Sequence, residues 1–180
     1  MTAGGERIIR TNPQRLSRAV WESGRSIQAS DTGGRTLEVT GVRVDEIAAP
    51  DHIAQALGLG EGGLVVRRSR TYETGGRPVQ MATSYLLLDL VHGTPITQAD
   101  AGPGGTYARL AEIGHAPARF TEDVIARSAT ITESDQLGLR TCQTLIQVTR
   151  TARDATGRAI EVNEMVLHPQ RYQLRYEFNA

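Results

Sequence analysis

A single cysteine, Cys142, stands in the 180-residue chain. It excludes an internal disulfide and agrees with a reducing, cytoplasmic setting, where a quiet, partly buried thiol is the expectation. No apolar run approaches the roughly 20 residues that a bilayer-spanning helix needs. The opening MTAGGERIIR has no apolar core before a cleavage site, so neither a membrane anchor nor a secretory signal is expected. Excess charge of one sign is also missing: 20 basic residues balance 20 acidic ones. A domain that grips duplex DNA by itself carries a basic footprint, so direct DNA contact is not expected. The four histidines, His52, His92, His115 and His168, are scattered, with no helical pair and no cysteine cluster beside them. No metal or cofactor site is therefore expected. The glycine-rich Gly58–Gly63 stretch precedes a strand pattern and lacks Gly-Lys-Ser/Thr, so it is not a phosphate loop. No serine sits in a nucleophile elbow, and no catalytic residue is assigned.

What is present is ordinary globular composition, 39% apolar and 22% charged, enough chain to bury one core unaided. Residues 1–34 are polar and read as a linker or tail with one anchoring turn at Ala19, Val20 and Trp21. From Arg35 to the end the pattern becomes periodic. Leu37, Val39, Val42 and Val44 alternate with polar residues and change phase near Gly41, which predicts a bulged strand. Pro50 opens a short helix carrying Ile53 and Leu57, stopped by Gly58. The runs Leu64–Tyr72 and Pro78–Leu88 flank a Gly-containing connector, a hairpin signal. After the loop 100–105, Thr106 is placed to cap a helix bearing Tyr107, Leu110 and Ala111 and ending at Gly114. A strand over 121–131 follows. Thr132-Glu133-Ser134-Asp135 then suggests a capping-box variant for a helix closed by Gly138. Leu145–Ala152 and Ala159–Leu167 repeat the hairpin signal. The final strand sets Tyr172, Leu174, Tyr176 and Phe178 on one face.

The order of these pieces conceals a repeat. Leu57-Gly58-Leu59 returns as Leu137-Gly138-Leu139 and Arg70 as Arg150, each 80 positions later (137 − 57, 150 − 70). Gly76-Arg77 returns as Gly157-Arg158. Each copy reads strand, short helix, hairpin. Two copies are too few for a solenoid, so the expected fold is α+β: one antiparallel sheet from two pseudo-repeated halves, covered by short helices.

The chemistry concentrates on the first hairpin. At period two, Leu64, Val66, Arg68, Arg70 and Tyr72 share a face, and two guanidinium groups on an apolar face are costly without partners. Two readings stand: a pocket floor that meets an anionic or polar ligand through forked hydrogen bonds, or arginines paired with sheet carboxylates or reaching solvent at an edge. Arg150 sits beside Ile146 and Val148 in the second half. Glu161 shares a face with Met165 and Leu167, as ligand acceptor or structural partner. Thr83 and Tyr85 share a face with Val79 and Met81, where their hydroxyls can serve a pocket or finish a core.

These residues carry a resemblance. The helix ending Leu57-Gly58-Leu59-Gly60-Glu61-Gly62, the Leu64–Arg70 run, Gly75-Gly76-Arg77-Pro78-Val79 and Thr83-Ser84-Tyr85-Leu86 resemble the first half of a UTRA domain. Tyr107–Gly114, Ala126-Arg127, Asp135–Leu139, Thr149-Arg150, Asp154–Glu161 and Gln170–Tyr176 resemble the second. The resemblance runs from about Arg35 onward. It implies a chorismate-lyase-like fold and the effector-binding, dimerising half of a HutC-branch GntR regulator, behind a winged helix-turn-helix that residues 1–34 are too short to supply. It also implies that Arg68 and Arg70 hold an anion, that Glu161 meets ligand hydroxyls, and that Tyr107 lines the site. Three positions depart from the family pattern: Ala82 for a glutamate, Gly105 for a serine and Leu167 for an aromatic. These argue away from an amino-sugar phosphate and admit a more apolar effector. The leading expectation is thus a homodimeric ligand sensor that reaches DNA only through another domain. The alternatives are a chorismate-lyase-like enzyme and a dimerisation module with a vestigial pocket.

Overall fold

The computed structural model describes residues 7–12, 14–24, 27 and 37–177. Its backbone is one six-stranded antiparallel sheet in the order β2-β3-β4-β7-β6-β5. The strands are β2 (Glu38–Ala48), β3 (Leu64–Thr74), β4 (Arg77–Leu87), β5 (Arg119–Ser128), β6 (Thr144–Arg153) and β7 (Ala159–Leu167). The repeat becomes a pseudo-symmetry about the β4–β7 pair, with each half a bulged or plain outer strand, a short helix and a hairpin. Short helices α2 (Asp51–Leu57) and α5 (Ile131–Leu137) both end on a left-handed glycine, Gly58 and Gly138. They cross between the halves: α2 packs on β7 and α5 on β4. That exchange ties the two copies into one core.

Local chemistry explains the turns. The predicted bulge lies between Thr40 and Arg43, with Gly41 at φ 61°. Gly75 and Gly76, both at positive φ, make the tight β3–β4 turn, the geometry whose twist suits a two-residue hairpin. The second hairpin uses Asp154 instead, whose Oδ1 accepts from the amides of Thr156 and Arg158. The capping box is real but starts two residues earlier than predicted. Thr130 is the N-cap, its side chain bonded to the Glu133 amide while Glu133 returns to the Thr130 amide. The strand before it accordingly stops at Ser128 rather than running to Ile131.

Two layers cover the sheet. On one face α2 and α5 bury Ile53, Leu57, Val65, Tyr85 and Val162, with Leu137, Leu145 and Val166 beside them. On the other, α4 (Gly105–Glu112) and α1 (Arg18–Glu22) bury Trp21, Val66, Leu86, Tyr107 and Leu110. Strand β1 (Ile8–Asn12) pairs in parallel with β8 (Tyr172–Tyr176) as a separate two-stranded sheet. The short α3 (Leu88–Val91) and a 3-10 turn at Pro95–Thr97 lead from β4 towards α4.

Three expectations need correction here. The polar N-terminal stretch holds more than one anchoring turn: Ile8, Arg10, Arg15, Trp21 and Ile27 are all buried. Its arginines hid this, because they are buried as ion pairs rather than solvated. The last strand does not join the main sheet, and Tyr172 and Leu174 pack with Ile8 onto Tyr72, Val148 and Met165. That part of its apolar face is covered within the chain, not by a second copy; Phe178 lies outside the described residues. Cys142 is exposed, at φ 60° in the turn before β6.

Candidate functional site

Register pairing lines up one row of side chains across the covered sheet face. Arg68 on β3 faces Ser84 on β4, Ser84 faces Asn163 on β7, Asn163 faces Arg150 on β6, and Arg150 faces Glu122 on β5. All have buried side chains, that of Glu122 being 8% exposed. A polar row through an apolar layer is expensive unless its members are bonded, and they are bonded unevenly.

Three of the five Arg68 N–H groups go to backbone carbonyls. Its Nη1 donates to the carbonyls of Ile96 and Gln98 and its Nη2 to that of Ala99 at 3.0 Å. It pins the segment between the 3-10 turn and α4. Burial, then the neighbouring Arg70, lowers its pKa. Arg70 donates through Nε to the Tyr72 hydroxyl at 2.6 Å, and through Nη1 to Ser84 Oγ at 3.1 Å and the Arg68 carbonyl at 3.3 Å. Its Nη2 has no hydrogen-bond partner among the described residues. Burial opposes the Arg70 charge, but Tyr72 and Glu161 outweigh it and raise the pKa.

Glu161 and Tyr107 meet from opposite layers. The Tyr107 hydroxyl donates to Glu161 Oε2 at 2.5 Å, with both residues at most 4% exposed. Burial drives the Tyr107 pKa well above its ordinary value; Arg150 works against this and Glu161 adds to it. The Arg150 guanidinium stands 5.5 Å from the Tyr107 ring centroid and 5.9 Å from that of Phe120. Such stacking favours the cation, yet Arg150 Nε and Nη1 have no hydrogen-bond partner among the described residues, and Glu122 is 3.9 Å away. Burial opposes the Arg150 charge as well, and Tyr107, Glu161 and Glu122 together lift its pKa.

A small cavity of about 50 Å³ opens among Arg70, Arg150, Glu161, Tyr107 and the first turn of α4. A wider one of about 500 Å³ shares Arg70 and Gly104–Thr106 with it, and is walled by Arg68, Tyr72 and the loop 99–103. The α4 terminus is unusual. Its N-cap is Gly104, in the left-handed region and with no side-chain cap; Thr106 is the second helical residue, not the cap. A Cβ on Gly104 would stand 2.5 Å from the Trp21 carbonyl oxygen and 2.6 Å from Ala108 Cβ. The glycine therefore lets α1 and α4 touch. At Gly105 a Cβ would meet nothing within 4 Å among the described residues.

The structure thus brings Arg70, Tyr107 and Glu161 around one cavity and sets Arg68 at the edge of its wider part. Thr83 and Tyr85 are elsewhere. They lie on the opposite sheet face, Thr83 beside Ser69 at 3.3 Å and Tyr85 under α2; burial, then Glu164, raises the Tyr85 pKa. Alternation correctly grouped them with each other, but a shift of register near Glu73 leaves Val79 in the cluster of Tyr72 and Ala82. Arg150 was missed as a site residue, although its repeat relation to Arg70 was the available signal. Among the described residues no group of acidic, histidine or cysteine side chains could hold a metal ion.

A six-stranded antiparallel sheet of two pseudo-repeated halves, with a polar cavity under a glycine-started helix, defines an effector-domain fold of the chorismate-lyase type. The UTRA domain family matches residues 32–173, and the chain belongs to it. Its curated relatives are helix-turn-helix regulators. The chain is 31% identical over 175 residues to an uncharacterised HTH-type transcriptional regulator of Streptomyces coelicolor, covering 92% of this chain and 65% of that one. It is 32% identical over 127 residues to an HTH-type transcriptional regulator of Mycobacterium tuberculosis, covering 69% and 46%. The chain therefore spans less than two thirds of the length of either. Among solved structures, the effector domain of PhnF from Mycobacterium smegmatis superposes with a TM-score of 0.75 at 19% identity, covering 95% of this chain and all of that one; other neighbours are GntR-family regulators.

Proposed function

We propose that this chain is the effector-sensing and dimerisation module of a bacterial, cytoplasmic GntR regulator of the HutC branch. It binds a small polar or anionic metabolite in the cavity beneath α4 and thereby modulates DNA binding by a winged helix-turn-helix that is not among its described residues. The observation that carries this reading is the polar cluster of Arg70, Arg150, Tyr107 and Glu161 around an open cavity, in which buried Arg150 has no hydrogen bond to Nε or Nη1 among the described residues. Polar groups kept half-satisfied in a core signal a ligand that completes them. Family membership and helix-turn-helix relatives agree. The cluster performs no bond-breaking step in this reading; its groups recognise and position.

The dimer contact falls on edge strand β5, where Val124 and Ile125 are 42% and 52% exposed, and effector binding alters the geometry between protomers. A thermal-shift screen of bacterial metabolites against the isolated chain, followed by calorimetric titration, tests the sensor reading. A stabilising ligand whose binding is lost on Tyr107→Phe or Glu161→Gln supports it, and turnover of that ligand by the chain sinks it in favour of an enzyme.

A further inference from the structure

We infer that Arg150, and not Arg68, is the partner of Arg70 in gripping an anionic oxygen group of the effector, with the amides at the start of α4 completing the cradle. This rests on reading the cavity as the effector site and names the chemistry that the site takes.

Three observations converge. Arg68, which alternation places beside Arg70, does not line the inner cavity, and three of its five N–H groups are committed to loop carbonyls. Releasing them for a ligand would leave those carbonyls unbonded, a cost comparable to the bond gained. Arg150 is 2% exposed, lines the inner cavity, and has no hydrogen bond to Nε or Nη1 among the described residues, its Nη1 lying 3.9 Å from Glu122 Oε1. A buried guanidinium so poorly bonded gains more from an incoming anion than any other group here. The third is the terminus of α4. Its N-cap side chain supplies no acceptor, and the amides of Thr106 and Tyr107 have none among the described residues. Free amides at a helix start bind anions, and here they meet a buried, incompletely hydrogen-bonded arginine in the same cavity.

Size and charge fix the class. The inner cavity, about 50 Å³, admits a headgroup but no ring, and the wider space of about 500 Å³ takes the rest of the molecule. Two like-charged guanidinium groups line the inner cavity with one carboxylate, and Glu161 is already held by Tyr107. A phosphate or carboxylate between the arginines relieves their repulsion. The ligand is a small phosphorylated or carboxylated metabolite, anion innermost.

Side-chain NMR on the unmodified chain, with nitrogen-labelled arginine, tests this without a folding risk. Inorganic phosphate, glycerol 3-phosphate and acetate are titrated in turn. The Nε–H signals of Arg70 and Arg150 and the amides of Thr106 and Tyr107 should move together while Arg68 stays still. The anion that moves them at the lower concentration decides between phosphate and carboxylate. In calorimetry with the tighter probe, Arg70→Met and Arg150→Met should each weaken binding about 10- to 100-fold. Arg150→Lys should recover part of it. Binding that moves Arg68 and leaves Arg150 still, or an Arg150→Met affinity equal to that of the unmodified chain, overturns the assignment. If no anion moves these signals but glycerol or another neutral polyol does, the clamp falls and the effector site stands. If neither anions, polyols nor a metabolite extract perturb the cavity, both fall.

Discussion

Arg15, just ahead of α1, and Glu122, on β5, form a buried ion pair: Nη2 lies 2.5 Å from Oε1, with the side chains 3% and 8% exposed. Arg10 of β1 reaches the same oxygen. The N-terminal segment is thus fastened to the far edge of the sheet by charge, and the carboxylate that fastens it is the one nearest Arg150 in the cavity.

Removing that carboxylate leaves several buried cations with less compensation. Breaking one side of a buried pair typically costs about 3–5 kcal/mol. Glu122→Gln is therefore expected to lower unfolding free energy by about that amount, read by urea titration. A loss below about 1 kcal/mol would mean that the cluster is effectively solvated.

Gly104→Ala should be the more damaging of two neighbouring glycine substitutions. Both residues have positive φ, which costs a side chain about 1–2 kcal/mol. At Gly104 the new Cβ also meets the Trp21 carbonyl at 2.5 Å, adding about 1–3 kcal/mol of overpacking. At Gly105 it would meet nothing within 4 Å among the described residues, so only the conformational cost applies. Melting curves of the two variants should differ in that order, while Gly105→Ala, by filling the cradle, should weaken ligand binding.

Acid should weaken the fold in two stages. Burial, helped by the charge of Arg171, lowers the His168 pKa. The unfolded chain then binds the extra proton first, and stability falls as pH drops below about 6.5. Glu133 is held at about 2, chiefly by the Arg127 guanidinium and by bonds within the capping box. Asp154 is also held at about 2, first by Thr156 and then by His115. Both folded values lie below the unfolded carboxylate range, so their contributions are intact above about 4.5 and vanish as pH falls towards 2. Urea midpoints measured from pH 8 to pH 2 check this. His168→Asn should flatten the upper stage alone, and Glu133→Gln the lower stage in part.

The hairpins, the Gly41 bulge and the two-copy plan were legible because each is written locally, in alternation and glycine placement. Pairings across the chain were not. Strand β1 joins β8 more than 160 residues away, and Ile8-Ile9 is too short to show a period. Alternation also says which residues of a strand share a face, not which layer covers it; Thr83 and Tyr85 went to the face under α2 and α5 for that reason. Arg68 sat on the right face, but carbonyls from a loop with no pattern of its own took three of its five N–H groups. Arg150 was readable only by trusting the repeat.

The repeat yields one last prediction, at the turn before each hairpin. Gly62 at φ 71° and Cys142 at φ 60° are equivalent positions, 80 residues apart. The first copy uses the residue that enters the left-handed region freely, while the second carries a side chain there at a cost of about 1–2 kcal/mol. Chain entropy returns about 0.5–1 kcal/mol of any gain on substituting glycine. Cys142→Gly should therefore stabilise by up to about 1 kcal/mol, whereas Gly62→Ala should destabilise by about 1 kcal/mol. Because Cys142 is exposed, a maleimide should label it in the folded chain, which separates accessibility from strain. Opposite signs in the two melting shifts would follow from the turn geometry. Equal losses at both positions would show that Cys142 makes a contact worth more than its backbone strain.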